Sequence, residues 1–345
     1  MKVLMVGLGG IGQRHVRNLR ALLGSEVEII AFRTRRLRHV LTDRLEIESG
    51  SNLEEKYNIR AYGDLDQAIA QGPDVVFICN PSSLHIPVAL SAAKAGCHMF
   101  IEKPLSHNYD GVEELITLVE RQNLTVLLGY QMRFHPCLQR LHSLLDQQAV
   151  GRVLAVRVEV GEYLPGWHAY EDYRQMYASR RELGGGVILS QIHELDYIYW
   201  LFGLPRRVFA LGGHLSSLEI DVEDTASMLI ECVVEGRPVP VHVHQDYVQR
   251  PPSRTCQLIG DGGKILLDFH ALTLHVFDGR GKLAEAHTFE GVQRNQLFLD
   301  EVRHFLACLR GDETPVATLR DGAQSLRVAL AAKESLETGK VVELA

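Results

Sequence analysis

Lys2-Val3-Leu4-Met5-Val6-Gly7-Leu8-Gly9-Gly10-Ile11-Gly12 runs from an apolar, strand-like segment into a cluster of glycines. Beyond it, Ile11, Val16, Leu19, Leu22 and Leu23 recur on one helical face and Gly24 offers an exit, so a helix is expected over 10–23. Strand, glycine turn and helix in this order give a G-x-G-x-x-G match its meaning. The glycines permit a tight turn and let backbone N–H groups at the positive helix end approach a pyrophosphate with no side chain in the way. Gly7, Gly9, Gly10, Ile11 and Gly12 are therefore candidate contacts to a dinucleotide; the alternative is a glycine-rich turn without a ligand.

Working outward, EVEIIAF, DVVFIC, CHMFIE and LTVLLG read as further strands separated by amphipathic stretches, an alternation that implies a parallel sheet wound with helices up to residue 128. The second strand runs into Phe32-Arg33-Thr34-Arg35-Arg36, where NAD-selective proteins carry an acidic residue for the ribose hydroxyl. Arginine forks suit a 2′-phosphate instead, so Arg33, Thr34 and Arg35 favour NADP over NAD, the alternative being solvated arginines at a strand end. Asn80-Pro81 closes DVVFIC and Glu102-Lys103-Pro104 closes CHMFIE, at the strand ends where an open α/β sheet places its ligand. A lysine there can hydrogen-bond a substrate hydroxyl and help move its proton, and Pro104 can shape the turn through a cis bond.

After Tyr130 the texture changes. A helical stretch from Pro136 to Leu145 gives way to RVLAVRVEV, TASMLIECVV, VPVHVHQDY and KILLDF, alternating segments of the kind that form antiparallel strands with one wet face. Helical patterns over 296–309 and 319–336 close the chain. The expected architecture is an α/β domain over 1–128 followed by an α+β domain over 129–345 with a large, mostly antiparallel open sheet. The segment from Tyr163 to Gly186, rich in aromatics and ending in three glycines, reads as a functional loop with some helix.

The bulk numbers narrow the function classes. With 345 residues, 46% hydrophobic and 23% charged, the chain has ordinary globular composition. A net charge of -7 offers no basic excess for a nucleic acid. Only five residues of the apolar start precede the glycines after Met1, too few for a secretory signal, and no run of about 18 apolar residues suggests a membrane span. Six scattered cysteines lack the pairing of a zinc site or disulfide scaffold, which fits a reducing cytoplasm. His242 and His244 lie two apart on one strand face without a clear third ligand, so they read as structural and no metal is expected.

GLGGIGQRH, NPSSLH, AGCHMFIEKPL, GYQMRFHP and GGGVILSQIHELD occur in an order that resembles the glucose-fructose oxidoreductase, inositol dehydrogenase and rhizopine-catabolism family along nearly the whole chain. The resemblance implies a Rossmann domain that binds NAD(P), with His85 of NPSSLH and Glu102, Lys103 and Pro104 near the cofactor. It also implies an open sheet that packs against another subunit in a homo-dimer or homo-tetramer. By the same likeness, Lys103 of the EKP motif sits at the catalytic centre and His193 is the acid/base group. The aspartate common a few residues before that histidine is not matched, since Leu189 and Ser190 stand there; Asp196, one helical turn beyond, is the candidate replacement.

Gly161 to Arg174 combines rings with hydrogen-bonding groups, a composition suited to sugar faces and hydroxyl edges. Tyr163, Trp167 and His168, with Tyr130, Arg133 and Asp196, are the expected substrate contacts. The plainer alternative has Trp167 and the tyrosines packing the loop onto the second domain, and Arg133, Arg250 and Arg254 serving ordinary ion pairs. The expected function is hydride transfer between nicotinamide C4 and a carbinol carbon of a sugar-like molecule. A dinucleotide-sensing regulatory protein on the same fold, and a reductase of a non-sugar substrate, are the competing readings.

Overall fold

The structure, a computed structural model, describes residues 1–34, 39–43 and 45–344. Strands β1 (Lys2–Val6) and β2 (Glu28–Phe32) are followed by a hairpin, β3 (His39–Leu41) with β4 (Ile47–Asn52). Then come β5 (Arg60–Tyr62), β6 (Val75–Ile78), β7 (His98–Glu102) and β8 (Val126–Gly129). The hairpin apart, these strands form one parallel sheet of order β5-β2-β1-β6-β7-β8. Val3 to Val6 and Val75 to Ile78 are buried throughout, as strands covered on both faces must be. Helices α1 (Gly10–Leu23), α2 (Leu53–Tyr57), α3 (Leu65–Ile69), α4 (His85–Lys94) and α5 (Val112–Arg121) make the crossovers. The strand order reverses between β1 and β6, so the crevice beyond their carboxyl ends is where this topology accommodates a ligand.

Helix α6 (Pro136–Asp146) leads into β9 (Val153–Gly161), and after the aromatic loop come α7 (Val187–Ser190) and α8 (His193–Phe202). The remaining strands are β10 (Arg207–Gly213), β11 (Thr225–Val234), β12 (Arg237–Asp246), β13 (Ser253–Gly260), β14 (Gly263–Asp268), β15 (Thr273–Asp278) and β16 (Leu283–Thr288). Helices α9 (Arg294–Arg310) and α10 (Leu319–Thr338) and the short β17 (Val342–Glu343) complete the chain. The second sheet has the order β16-β15-β14-β13-β9-β12-β11-β10-β17 and is antiparallel except where β9 lies beside β12. Its inner face buries Val208, Ala210, Met228, Ile230, Val241 and Val243 against helices, and Leu211, Leu229 and Val233 alternate onto the outer face.

The expected α/β unit followed by a mostly antiparallel sheet is the fold observed. Packing does not follow the expected division at residue 128, however. Asn295 on α9 accepts from Arg14 Nη1 of α1 at 2.8 Å, and Phe305 stands edge-on to Phe77 and Phe100 of the first sheet. Leu128 N–H donates to the Ala317 carbonyl at 3.0 Å. The late helix α9 thus covers a face of the first sheet, a role no short-range pattern announces. None of the helices among the described residues is long and apolar enough to cross a membrane.

Candidate active site

The glycine turn has the geometry of a ligand cradle. Gly7 holds φ +90°, and a Cβ on it would meet the Cys79 carbonyl at 2.8 Å; a Cβ on Gly12 would lie 2.2 Å from the Gly7 carbonyl oxygen. Those two positions demand glycine for packing. At Gly9, the N-cap of α1, a Cβ would meet nothing within 4 Å, so the turn is open there, while the Tyr170 hydroxyl stands against Gly10. Helix α1 has no side-chain cap and no acidic residue in its first turn, leaving its positive end to an anion from outside. These residues fit a dinucleotide pyrophosphate.

The neighbouring turns are braced from below. His85, expected beside the cofactor, is buried, with its ring nitrogens 2.8 Å from the Asn80 carbonyl and 2.9 Å from the Pro104 carbonyl. It therefore ties the β6 and β7 turns together, and burial holds its pKa below the ordinary value. Glu102, also expected at the cofactor, has its carboxylate beside His15 Nε2 of α1 at 2.7 Å and accepts from the Lys103 N–H at 3.3 Å. The Lys103–Pro104 peptide is cis. At the end of β2, Arg33 is buried and paired with Glu54 at 2.7 Å, while Arg35 lies outside the described residues.

Lys103 leaves the end of β7 and donates from Nζ to the Ser190 carbonyl at 2.6 Å, at the joint between α7 and α8. His193 begins α8 three residues later, buried, its Nε2 accepting from the Gln131 side-chain amide at 3.0 Å. Burial, and then the charges of Lys103, Arg254 and Arg294, hold the imidazole well below its ordinary pKa, so it is neutral at pH 7. The amine from the first unit and the imidazole from the second are electrostatic neighbours.

The expected replacement for the missing aspartate is not available. Asp196 is fully buried: Oδ2 accepts from Arg133 Nε at 3.0 Å, and Oδ1 accepts from Arg133 Nη2 at 2.7 Å and from Ser325 at 2.9 Å. Arg133 adds a bond to the Val316 carbonyl at 2.7 Å. Both residues, expected to touch substrate, are instead a closed pair that anchors the turn after β8 to α8 and α10. Tyr130 is likewise enclosed in the core. In the aromatic loop, Trp167 packs edge-on against Tyr247 at 5.3 Å, Arg250 lies 3.9 Å over the Tyr163 ring, and His168 pairs with Glu171 at 2.7 Å. Arg254 donates to Glu194 at 2.8 Å. Trp167, Arg133 and Arg254 thus take the plainer of the roles open to them. Among the described residues no group of three His, Cys, Asp or Glu side chains is arranged to hold a metal.

Gln131, His15 and the Ser190 carbonyl were not singled out from the sequence. Gln131 stands inside GYQMRFHP and His15 inside GLGGIGQRH, so a signal existed for both; a backbone acceptor leaves none.

Fold and site together define a two-domain, dinucleotide-binding oxidoreductase scaffold. Comparison with known proteins narrows the class. Residues 1–130 match the oxidoreductase family with the NAD-binding Rossmann fold, residues 138–266 match the GFO/IDH/MocA C-terminal domain, and the chain belongs to that family. It is 26% identical to myo-inositol 2-dehydrogenase of Thermotoga maritima, covering 100% of this chain and 98% of the relative. Two solved structures share the fold across the chain. The WlbA dehydrogenase of Bordetella pertussis, solved with NADH and UDP-GlcNAcA, has a TM-score of 0.80 at 21% identity and covers 100% of this chain and 98% of its own. The myo-inositol 2-dehydrogenase of Lactobacillus plantarum has a TM-score of 0.79 at 20% identity, covering 100% and 99%.

Proposed function

We propose that this chain is an NAD(P)-dependent dehydrogenase or reductase of a sugar, sugar acid or nucleotide sugar, acting at a CH–OH carbon. The observation that carries the reading is the approach of Lys103 to the segment bearing a neutral, buried His193, with Lys103 just past the carboxyl end of β7, which pairs with β6 at the sheet's reversal. When bound, the nicotinamide supplies the hydride acceptor or donor at C4. The neutral His193 imidazole receives the hydroxyl proton during oxidation and returns it during reduction. The Lys103 ammonium donates a hydrogen bond to the same oxygen and fixes its position. The names of the relatives support a polyhydroxylated substrate.

NADP is the favoured cofactor, because no carboxylate follows β2 and Arg35 stands close beyond it. Assembly into a homo-dimer or homo-tetramer through the outer face of the second sheet belongs to the same reading. The test is steady-state turnover of NADPH and NADH with a panel of oxidised sugars, sugar acids and nucleotide sugars. Lys103→Met should keep dinucleotide affinity while lowering turnover by about two to four orders of magnitude. Tight dinucleotide binding with no turnover on a broad panel would favour a cofactor sensor, and near-normal activity of the variant would remove Lys103 from the chemistry.

A further inference from the structure

Tyr170 reaches from the aromatic loop of the second unit to the glycine turn of the first. A Cβ built on Gly10, the first residue of α1, would lie 2.9 Å from the Tyr170 hydroxyl oxygen. The ring is held in that pose. It stacks on His168 with centroids 5.0 Å apart and planes 19° from parallel, and its hydroxyl lies 3.3 Å from His168 Nδ1. Glu171 pins His168 at 2.7 Å, and His39 approaches the ring from the hairpin side at 6.5 Å.

A phenol at this position has a defined preference. The phenol oxygen faces the first turn of α1, whose backbone N–H groups can only donate. In the chain as it stands the phenol proton is therefore taken by the loop partners His168 and Glu171, and a ligand at the turn must offer acceptor oxygens in their place. A pyrophosphate seated over Gly9 and Gly10 supplies such oxygens, and phosphate accepts strongly from hydroxyls. Burial, followed by Glu171, raises the Tyr170 pKa, which keeps the proton on the oxygen.

We propose that Tyr170 is a dinucleotide-binding residue contributed by the second domain, its hydroxyl donating to a pyrophosphate oxygen held on the glycine turn. The inference rests on the dinucleotide reading and adds a consequence to it. The loop that closes on the cofactor is the one that carries Tyr163, Trp167 and His168, so cofactor occupancy sets the conformation in which a second ligand meets that loop.

ADP-ribose, which carries the pyrophosphate without the nicotinamide, and adenosine, which has no phosphate, separate the terms. In calorimetric titrations Tyr170→Phe should bind ADP-ribose and NADPH about tenfold more weakly than the wild type and adenosine equally well, the size of one lost hydrogen bond to a charged group. ADP-ribose should protect the loop over 163–186 from limited proteolysis in the wild type and protect it less in the variant. The phenylalanine keeps the ring and its stacking on His168, and matching melting temperatures confirm that the fold is intact. Unchanged ADP-ribose affinity with unchanged protection overturns the proposal while leaving the dinucleotide reading standing. A wild type that binds neither ADP-ribose nor NADPH overturns both.

Discussion

Lys103 ends on the Ser190 carbonyl rather than on a carboxylate, and its charge adds to the burial that sets how His193 behaves. Burial and then the surrounding cations keep the imidazole neutral well below its ordinary pKa of 6.5. The sign follows directly: the proton that would silence a general base is excluded until the pH falls far below 6.5. The rate of alcohol oxidation should therefore stay level as pH drops through 6.5 and decline only in stronger acid. A pH–rate profile for kcat/KM measures this, and an acid limb centred at 6.5 or higher contradicts it. Arg33 and Arg35 also separate at this scale. Because Arg33 is buried against Glu54, Arg33→Ala should weaken NADPH and NADH alike, whereas Arg35→Ala should weaken NADPH by about tenfold more than NADH, as loss of a phosphate partner requires. Equal losses in Arg35→Ala, read by fluorescence titration, refute the phosphate role. Lys103 and His193 were legible as motif residues. Their environment was not, because a backbone carbonyl and a ring of distant cations have no local sequence signature.

Among the elements, α6 shows how a motif residue can serve a helix rather than a substrate. His135 of GYQMRFHP is the N-cap of α6, its Nδ1 accepting from the Cys137 N–H at 3.2 Å, with Pro136 at the first helical position. Burial, with Arg254 nearby, lowers its pKa from 6.5 to about 4. Between those values the unfolded chain takes up a proton that the folded chain refuses, so stability falls as the pH drops from about 6.5 toward about 4. His135→Asn keeps a capping acceptor without the titration. Relative to that variant, the wild type should lose about 1.4 kcal/mol per pH unit across the window, measured by urea unfolding at pH 7, 6 and 5; parallel stability curves would remove His135 from the balance. The pair formed by Arg133 and Asp196 is the companion case, since Asp196→Asn leaves a buried guanidinium half-compensated and should cost about 3 kcal/mol. Calorimetric melting of that variant reads the loss, and an unchanged Tm would show that the pair carries no stability. Helices α1, α6, α9 and α10 and the strand β11 stood close to where periodicity put them, because each buries one regular face. The direction of Arg133 and Asp196 was not legible: local spacing cannot tell a charge aimed at a ligand from one aimed at a partner 63 residues away.

At the scale of the whole molecule, the two units share a core. Phe305 of α9 packs on Phe77 and Phe100, and the Ser335 hydroxyl of α10 accepts from the Ala210 N–H of the second sheet at 2.9 Å, so the last helices join both sheets. One side of the second sheet is covered by this arrangement and the other remains open. Nine strands at about 4.8 Å spacing, averaging roughly 24 Å in length, give an outer face of about 1,000 Å², a standard contribution to a stable interface. Leu211 (63% exposed), Leu229 (59%) and Val233 (44%) stand on that face amid His242, Arg157 and Glu159. Burying each leucine is worth about 2 kcal/mol, so a self-complementary contact across them would hold two copies together. The proposed assembly therefore predicts that sedimentation velocity finds a dimer or tetramer. It also predicts that replacing Leu211 and Leu229 together with Lys shifts the mass toward the monomer, with the circular dichroism spectrum unchanged, because both side chains point away from the core. A wild-type monomer, or a double variant that assembles like the wild type, would assign that open face to some other use.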